Sequence, residues 1–205
     1  MSKLTLAGVI ALAGPVASPF VGTAAGQVTF TEADLGEFSD DANAPTVLDF
    51  IVGINTVSGS VTQSNDLANG NRDFFTFTLT AGQELVAVNV IQWEDLASGS
   101  GNQGFIGGNI DSVGLVPGGA TSADFEFGTL VGGTDVGNDI LPDLAANNTA
   151  GPDFIGPVGP GTYTFVIQQT GPQNSSYTLD FVVTPAPATA AMLGFAGLTA
   201  ARRRR

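Results

Sequence analysis

Apolar and polar residues alternate with a period of two in the middle of the chain. In RDFFTFTLTAGQELVAVNVIQW, at residues 72–93, aromatic residues and leucine alternate with threonine up to the turn AGQE, and valines alternate with other residues after it. This pattern predicts a β-hairpin with one buried face, because successive side chains of a strand point to opposite sides. The predicted inward side chains are Phe75, Phe77, Leu79, Val86, Val88 and Val90.

A second segment, GTYTFVIQQTGPQNSSYTLDFVV at residues 161–183, repeats this design on both sides of the polar turn TGPQNSS and predicts a second hairpin. Weaker strand patterns occur at residues 27–31, 46–52, 56–63, 110–116 and 123–131.

No window sustains an apolar period of 3.6 over the length of a helix. We therefore predict an all-β domain of about eight to ten strands, arranged as an antiparallel β-sandwich of jelly-roll-like type. Residues 132–161 are rich in turn-forming residues and offer little to fill a core. They are predicted to form a surface loop, with a short strand or helical turn near residues 140–144.

The first 26 residues have the layout of a secretory signal peptide. Lys3 is followed by an apolar run at residues 4–13, and small residues precede Gln27, so cleavage is expected near residues 24–26. The sequence thus divides into a signal peptide at residues 1–26, a β-sandwich domain at residues 27–184 and a separate tail at residues 185–205.

Composition excludes several classes of function. The chain has no cysteine and no histidine, which removes disulfides, thiol catalysis, histidine-based triads and the usual zinc ligands. The domain holds one basic residue, Arg72, against nineteen acidic ones, a net charge of −18 that repels nucleic acid. The expected electrostatic partner of Arg72 is Asp66 or Asp73.

The tail, TPAPATAAMLGFAGLTAARRRR, has a proline motif, fourteen uncharged residues at 188–201 and a basic end. It resembles the PEP-CTERM sorting signal of bacterial exported proteins, with Ala186 where that signal has glutamate. The residues that carry the resemblance are Pro185, Ala186, Pro187, Arg202, Arg203, Arg204 and Arg205.

This resemblance implies processing by an exosortase, a membrane-embedded enzyme, and delivery to the surface of bacteria that make exopolysaccharide. A helix of fourteen residues spans only about 21 Å, and the arginines hold the cytoplasmic side. We therefore expect a hydrophobic sorting helix that anchors the chain in the inner membrane only transiently.

The domain also resembles the bacterial pre-peptidase C-terminal domain, a small β-sandwich found on exported proteins. The opening strand and turn of that family, D-x-F-x-F-x-L-x-A-G, match residues 73–82, and its closing strands match residues 161–167 and 177–181. The resemblance implies a sandwich fold and brings no catalytic residues.

Oxygen ligands lie close together in NDLANGNRD, at residues 65–73. Asp66, Asn71 and Asp73 are candidate ligands for Ca²⁺, the one cofactor we expect; the alternative is a polar turn in which these side chains cap their own backbone. A second candidate set is Asp135, Asn138 and Asp139.

Trp93 is a candidate platform for stacking on a sugar ring, with two acids following it. Strict alternation places it on the face opposite Val86, Val88 and Val90, although the alternative is a core position. These features together favour an exported, non-enzymatic protein of the cell surface or extracellular matrix, with exopolysaccharide as a possible partner. The alternatives are a carboxylate-based glycosidase or lyase acting on polysaccharide and a carbohydrate-binding module.

Overall fold

The computed structural model describes residues 26–62, 71–95, 104–110, 125–146, 156–170 and 174–186. The predicted signal peptide, apart from Gly26, and the tail from Pro187 onward lie outside these residues. Within the described ranges, no helix has the length and apolar character needed to cross a membrane.

The described residues form nine strands, two short α-helices and a 3₁₀ turn. The strands are β1 (Gly26–Thr31), β2 (Thr46–Val47), β3 (Gly53–Val61), β4 (Asp73–Leu79), β5 (Gln83–Asp95), β6 (Gly104–Ile110), β7 (Phe127–Val131), β8 (Gly161–Gln169) and β9 (Ser175–Pro185). The helices are α1 (Glu32–Leu35) and α2 (Leu141–Ala146), and the 3₁₀ turn covers Gly133–Asp135. The predicted all-β class is confirmed.

The strands form two sheets. The four-stranded sheet has the order β1-β3-β9-β5, and the five-stranded sheet has the order β2-β4-β8-β6-β7. Most pairs are antiparallel, as predicted, but β1 pairs with β3 and β2 pairs with β4 in parallel.

Side chains from both sheets form one core. Phe165 of β8 lies at its centre with no exposed surface. Its ring centroid is 5.8 Å from that of Phe75, 5.7 Å from Phe77, 5.1 Å from Phe127 and 5.2 Å from Phe181. Because Phe181 belongs to the four-stranded sheet, these ring contacts join the two sheets.

Both predicted hairpins are wrong. β4 pairs with β2 and β8, whereas β5 pairs with β9; likewise β8 pairs with β4 and β6, whereas β9 pairs with β3 and β5. At each turn the chain crosses from one sheet to the other instead of folding back within a sheet. A strand shows the same alternation whether the next strand pairs with it in a hairpin or crosses to the opposite sheet. Alternation therefore identifies the buried face of a strand but not its hydrogen-bonded partner.

Irregularities in β5 change which of its side chains face the core. The register with β9 shifts between Leu85 and Ala87 and again between Val90 and Gln92. Leu85 is fully buried in place of the predicted Val86, while Val88 and Val90 are buried as predicted. A bulge adds a residue to one strand and so reverses the facing of every position after it.

The segment after β7 contributes to the core, which corrects its interpretation as a surface loop with little to bury. Ile140, Leu141 and Leu144 join the core cluster, and the predicted helical turn is present as α2. Backbone bonds from this segment also cover the edge of β5: Ile140 N–H donates to Val88 O at 2.8 Å, and Val90 N–H donates to Asn138 O at 3.0 Å. The segment therefore shields a strand edge that would otherwise be open to pairing with another chain.

Strand β6, with the sequence GFIGGNI, was not predicted, and its glycines let it pack closely between β7 and β8. A Cβ atom on Gly108 would lie 2.1 Å from the backbone oxygen of Thr164 and 2.7 Å from the ring of Phe127. Only a residue without a side chain fits at this position unless the strands move apart.

Gly108→Ala is expected to lower the free energy of unfolding by about 3 kcal/mol, because the clash involves backbone that cannot rotate away. Chemical denaturation of the full-length chain measures this. Gly159→Ala is the matched control, since a Cβ there has no atom within 4 Å, and we expect it to change stability by less than about 0.5 kcal/mol. Equal effects of the two changes would contradict the expectation.

Candidate functional site

Three carboxylate side chains from two distant parts of the sequence meet at one end of the four-stranded sheet. Glu32 lies in α1, Glu37 follows α1, and Asp73 begins β4. One carboxylate oxygen from each lies within 4.8 Å of the others. Three negative groups this close repel one another, so they must share protons or bind a cation.

Asp73 is the buried member of this group, with no exposed surface. The Tyr177 hydroxyl donates a hydrogen bond to Asp73 Oδ2 at 2.6 Å, whereas Oδ1 is buried without a hydrogen-bond partner. Burial raises the pKa of Asp73 to about 9; the hydrogen bond from Tyr177 acts in the opposite direction, and the charges of Glu32 and Glu37 raise the pKa further. Burial next to Asp73 likewise raises the pKa of Tyr177 well above its usual value.

Glu32 also uses only one of its carboxylate oxygens for hydrogen bonds. Its Oε2 accepts from the backbone N–H of Ser60 at 2.9 Å and from the Ser60 hydroxyl at 3.3 Å, whereas Oε1 is buried without a partner. Burial, followed by the charge of Glu37, raises the pKa of Glu32.

Asn71 adds an amide to the group. Its Nδ2 donates a hydrogen bond to Glu37 Oε1, and its Oδ1 is buried without a partner. The next residue, Arg72, interacts with Asp40 and not with this group. Its backbone N–H donates to Asp40 Oδ1 at 2.9 Å, and the negative charge of Asp40 acts on its guanidinium. Asp40 therefore takes the place expected for Asp73, and the other expected partner, Asp66, lies outside the described residues.

The local sequence explains why Glu32 and Glu37 converge. The Thr31 hydroxyl caps α1 by accepting a hydrogen bond from Asp34 N–H at 3.1 Å. Gly36 ends the helix at φ +86, a conformation that glycine adopts readily. A single helical turn followed by this reversal brings Glu37 back beside Glu32.

Gly59 of β3 leaves room at the point where the site's oxygens converge. A Cβ atom at residue 59 would lie 2.7 Å from the Tyr177 hydroxyl, 2.8 Å from Glu32 Oε1 and 2.9 Å from Asp73 Oδ2. A side chain at this position would occupy the space between these oxygens.

The first predicted Ca²⁺ set is brought together in part. Asn71 and Asp73 both belong to the cluster, and Asp66 lies outside the described residues. Sequence reasoning missed Glu32 and Glu37, which lie more than thirty residues before Asp73. The acids of EADLGE gave no signal of contact with β4, because that contact depends on how α1 packs against β3.

The second predicted set binds backbone instead of converging. Asp135 Oδ2 accepts from Gly132 N–H at 2.7 Å, and Asp139 Oδ1 accepts from the N–H groups of Val88 and Leu141 at 2.9 and 3.0 Å. Asn138 Nδ2 donates to a nearby carbonyl at 3.4 Å. Asp139 thus holds the loop against β5, while the Asp135 and Asn138 side chains bond to backbone within the loop, as in the alternative of local backbone capping.

The prediction of a sugar platform at Trp93 is contradicted by its burial. The bulge after Val90 turns Trp93 toward the core, where it is 5% exposed and its ring centroid lies 6.3 Å from that of Tyr177. Gly104 packs against the indole so closely that a Cβ atom there would lie 2.1 Å from it. Trp93 is thus a core residue, and its ring is not available for stacking on a sugar.

A groove of about 320 Å³ lies beside the carboxylates on the outer side of the four-stranded sheet. Six hydroxyl-bearing side chains line it: Thr31, Ser58, Ser60, Ser176, Tyr177 and Thr178. Glu32 is its one carboxylate, and the buried Asp73 is not among the lining residues. Glycoside hydrolysis needs two carboxyl groups facing the same bond, which this groove does not supply.

No protein-family model matches this chain, and no curated protein matches it.

Proposed function

We propose that this chain is an exported, non-enzymatic protein of the cell surface or extracellular matrix, sorted by its PEP-CTERM-like tail. In this proposal an exosortase processes the tail after transient anchoring in the inner membrane, and exopolysaccharide is the surrounding material. The folded part is an antiparallel β-sandwich of jelly-roll-like type, related to the pre-peptidase C-terminal domain.

The observation that carries the proposal is the position of the fold between the two targeting segments. β1 begins at Gly26, where the predicted signal peptide ends, and β9 continues to Pro185, the first residue of the proline motif. Ala186 N–H still donates to Gly82 O at 2.7 Å. The described strands therefore lie within the interval between the predicted leader and tail, which supports the proposal of an exported domain.

The sheet arrangement supports the sandwich. Inner faces of the two sheets share a single core, and the chain crosses between the sheets from β4 to β5 and from β8 to β9. Two sheets packed face to face with such crossings are typical of jelly-roll and related sandwiches.

The composition of the groove favours the non-enzymatic proposal over a glycosidase. One carboxylate among hydroxyl groups lacks the acid and base pair of that class of enzyme. The carbohydrate-binding module alternative loses its aromatic platform with the burial of Trp93. Turnover of any polysaccharide by the purified chain would refute the non-enzymatic proposal.

Deleting Arg202, Arg203, Arg204 and Arg205 is expected to reduce membrane retention and alter processing, because these charges fix the orientation of the apolar segment. Fractionation and the intact mass of the protein from its native host measure both effects. Replacing the four arginines with lysines is the matched control and should preserve retention. An identical mass of the processed protein and an identical location for the deletion variant and the unchanged protein would contradict the sorting proposal.

A further inference from the structure

We propose that Glu32, Glu37 and Asp73 bind a single Ca²⁺ ion, with the side-chain oxygen of Asn71 as a fourth ligand. This site differs from the local turn site predicted from sequence, because it joins α1 and Glu37, two residues after that helix, to the beginning of β4. It does not depend on the sorting proposal.

The separations of the oxygens suit this ion. Ca²⁺ binds oxygen at about 2.3–2.6 Å, so two oxygens on one ion lie at most about 5 Å apart. The carboxylate oxygens of the three acids lie within 4.8 Å of one another. Carboxylate and amide oxygens are the ligands that Ca²⁺ prefers, and the chain's lack of cysteine and histidine removes the softer ligands of transition metals.

A buried, unpartnered oxygen points independently to a ligand. Asp73 has no exposed surface, its Oδ2 accepts a hydrogen bond from the Tyr177 hydroxyl, and its Oδ1 is buried without a hydrogen-bond partner. Glu32 shows the same division, with Oε2 bonded to Ser60 and Oε1 unpartnered. A buried polar atom without a partner is costly, and a cation bound by both carboxylates would remove this cost.

Gly59 provides the space. The position of its missing Cβ is within 2.9 Å of oxygens from Glu32, Asp73 and Tyr177. Filling this space with a methyl group removes room for an ion without changing any charge. Gly59→Ala thus tests the site separately from the acids.

The test compares thermal unfolding of the full-length chain in CaCl₂ and in NaCl at matched ionic strength, which separates binding from screening. At a hundredfold excess of Ca²⁺ over its dissociation constant, the gain is about 2.7 kcal/mol. For a chain of this size that gain corresponds to a rise in melting temperature of about 5–10 °C. MgCl₂ at the same concentration should give a smaller rise, because Mg²⁺ demands shorter bonds and octahedral geometry.

Glu37→Gln is the first variant, since Glu37 is exposed and its amide is not expected to disturb the fold. We expect it to weaken Ca²⁺ binding at least about tenfold, and we expect Gly59→Ala to weaken it similarly. Glu84→Gln is the matched control: the same change at the other end of the four-stranded sheet, where Glu84 pairs with Thr184, should leave Ca²⁺ affinity unchanged.

A direct readout uses Tb³⁺ in place of Ca²⁺. Tyr177 touches the site and stacks with Trp93, so excitation of these rings should sensitise Tb³⁺ emission, and added Ca²⁺ should quench it by displacement. Coincident melting curves in CaCl₂ and NaCl would overturn the proposal. The cluster would then be explained by carboxyl groups that share protons. An equal response of Glu37→Gln and Glu84→Gln to Ca²⁺ would overturn the assignment of the ligands.

Discussion

The free energy of unfolding is expected to fall as the pH rises from about 4 to about 9 when a chelator keeps the protein free of divalent cations. Asp73 is the source of this dependence, because its pKa is about 9 in the folded protein and about 4 in an unfolded chain. Between these values the folded state holds a proton that the unfolded state has lost. Stability therefore falls with rising pH, by up to about 1.4 kcal/mol per pH unit.

The neighbouring groups act in the same direction. Burial and the charge of Glu37 raise the pKa of Glu32, and the Tyr177 hydroxyl on Asp73 has its own pKa raised, so neither offsets the trend. Denaturation midpoints at intervals between pH 4 and 9 measure the slope. Asp73→Asn should flatten it, because the amide carries no charge at any of these pH values, whereas Asp49→Asn at an exposed position should not. A wild-type stability that rises over this range would contradict the expectation.

Phe165→Ala is expected to lower the free energy of unfolding by about 3–5 kcal/mol. The ring is fully buried and packs on four other aromatic rings, one of them in the opposite sheet. Removing it leaves a cavity that neighbouring rings on two hydrogen-bonded sheets cannot collapse to fill. Part of the loss therefore comes from contacts between the sheets.

Urea or guanidinium denaturation of the full-length chain measures this change. Leu130→Ala in β7 is the control, because Leu130 is 52% exposed, and its effect should stay below about 0.5 kcal/mol. A loss of less than about 1.5 kcal/mol for Phe165→Ala would mean that the core closes over the missing ring.

Side-chain alternation predicted the buried faces of the long strands but not their partners. Phe75, Phe77 and Phe181 are buried as their alternation predicts, since burial depends on each strand's own sequence. Pairing depends on backbone hydrogen bonds and on which sheet a strand enters after a turn, and both hairpin predictions failed there. The predicted orientation of Trp93 was wrong for a related reason. A bulge changes which side chains face the core after it, and the sequence gives no signal of the bulge.

β6 escaped prediction because glycine gives no hydrophobic signal. Its glycines are buried by the approach of neighbouring strands, and that closeness exists only after β7 and β8 have come together. The cluster of Glu32, Glu37 and Asp73 was also predicted only in part, because tertiary packing forms it. Asn71 and Asp73 are close in sequence, whereas Glu32 and Glu37 reach Asp73 only through the packing of α1 beside β3. Local spacing revealed half of the cluster, and tertiary contact supplied the rest.

The continuity of β9 with the tail has a mechanical consequence. Tension applied through a tail that continues from Pro185 would enter the fold along the axis of a central strand, with β3 on one side and β5 on the other. Antiparallel hydrogen bonds lie perpendicular to the strands, so a load along β9 shears two ladders at once instead of peeling one bond at a time. Resistance to forced unfolding is set by the rate of that rupture rather than by equilibrium stability. A domain pulled in this way would resist forced unfolding better than one pulled through an edge strand.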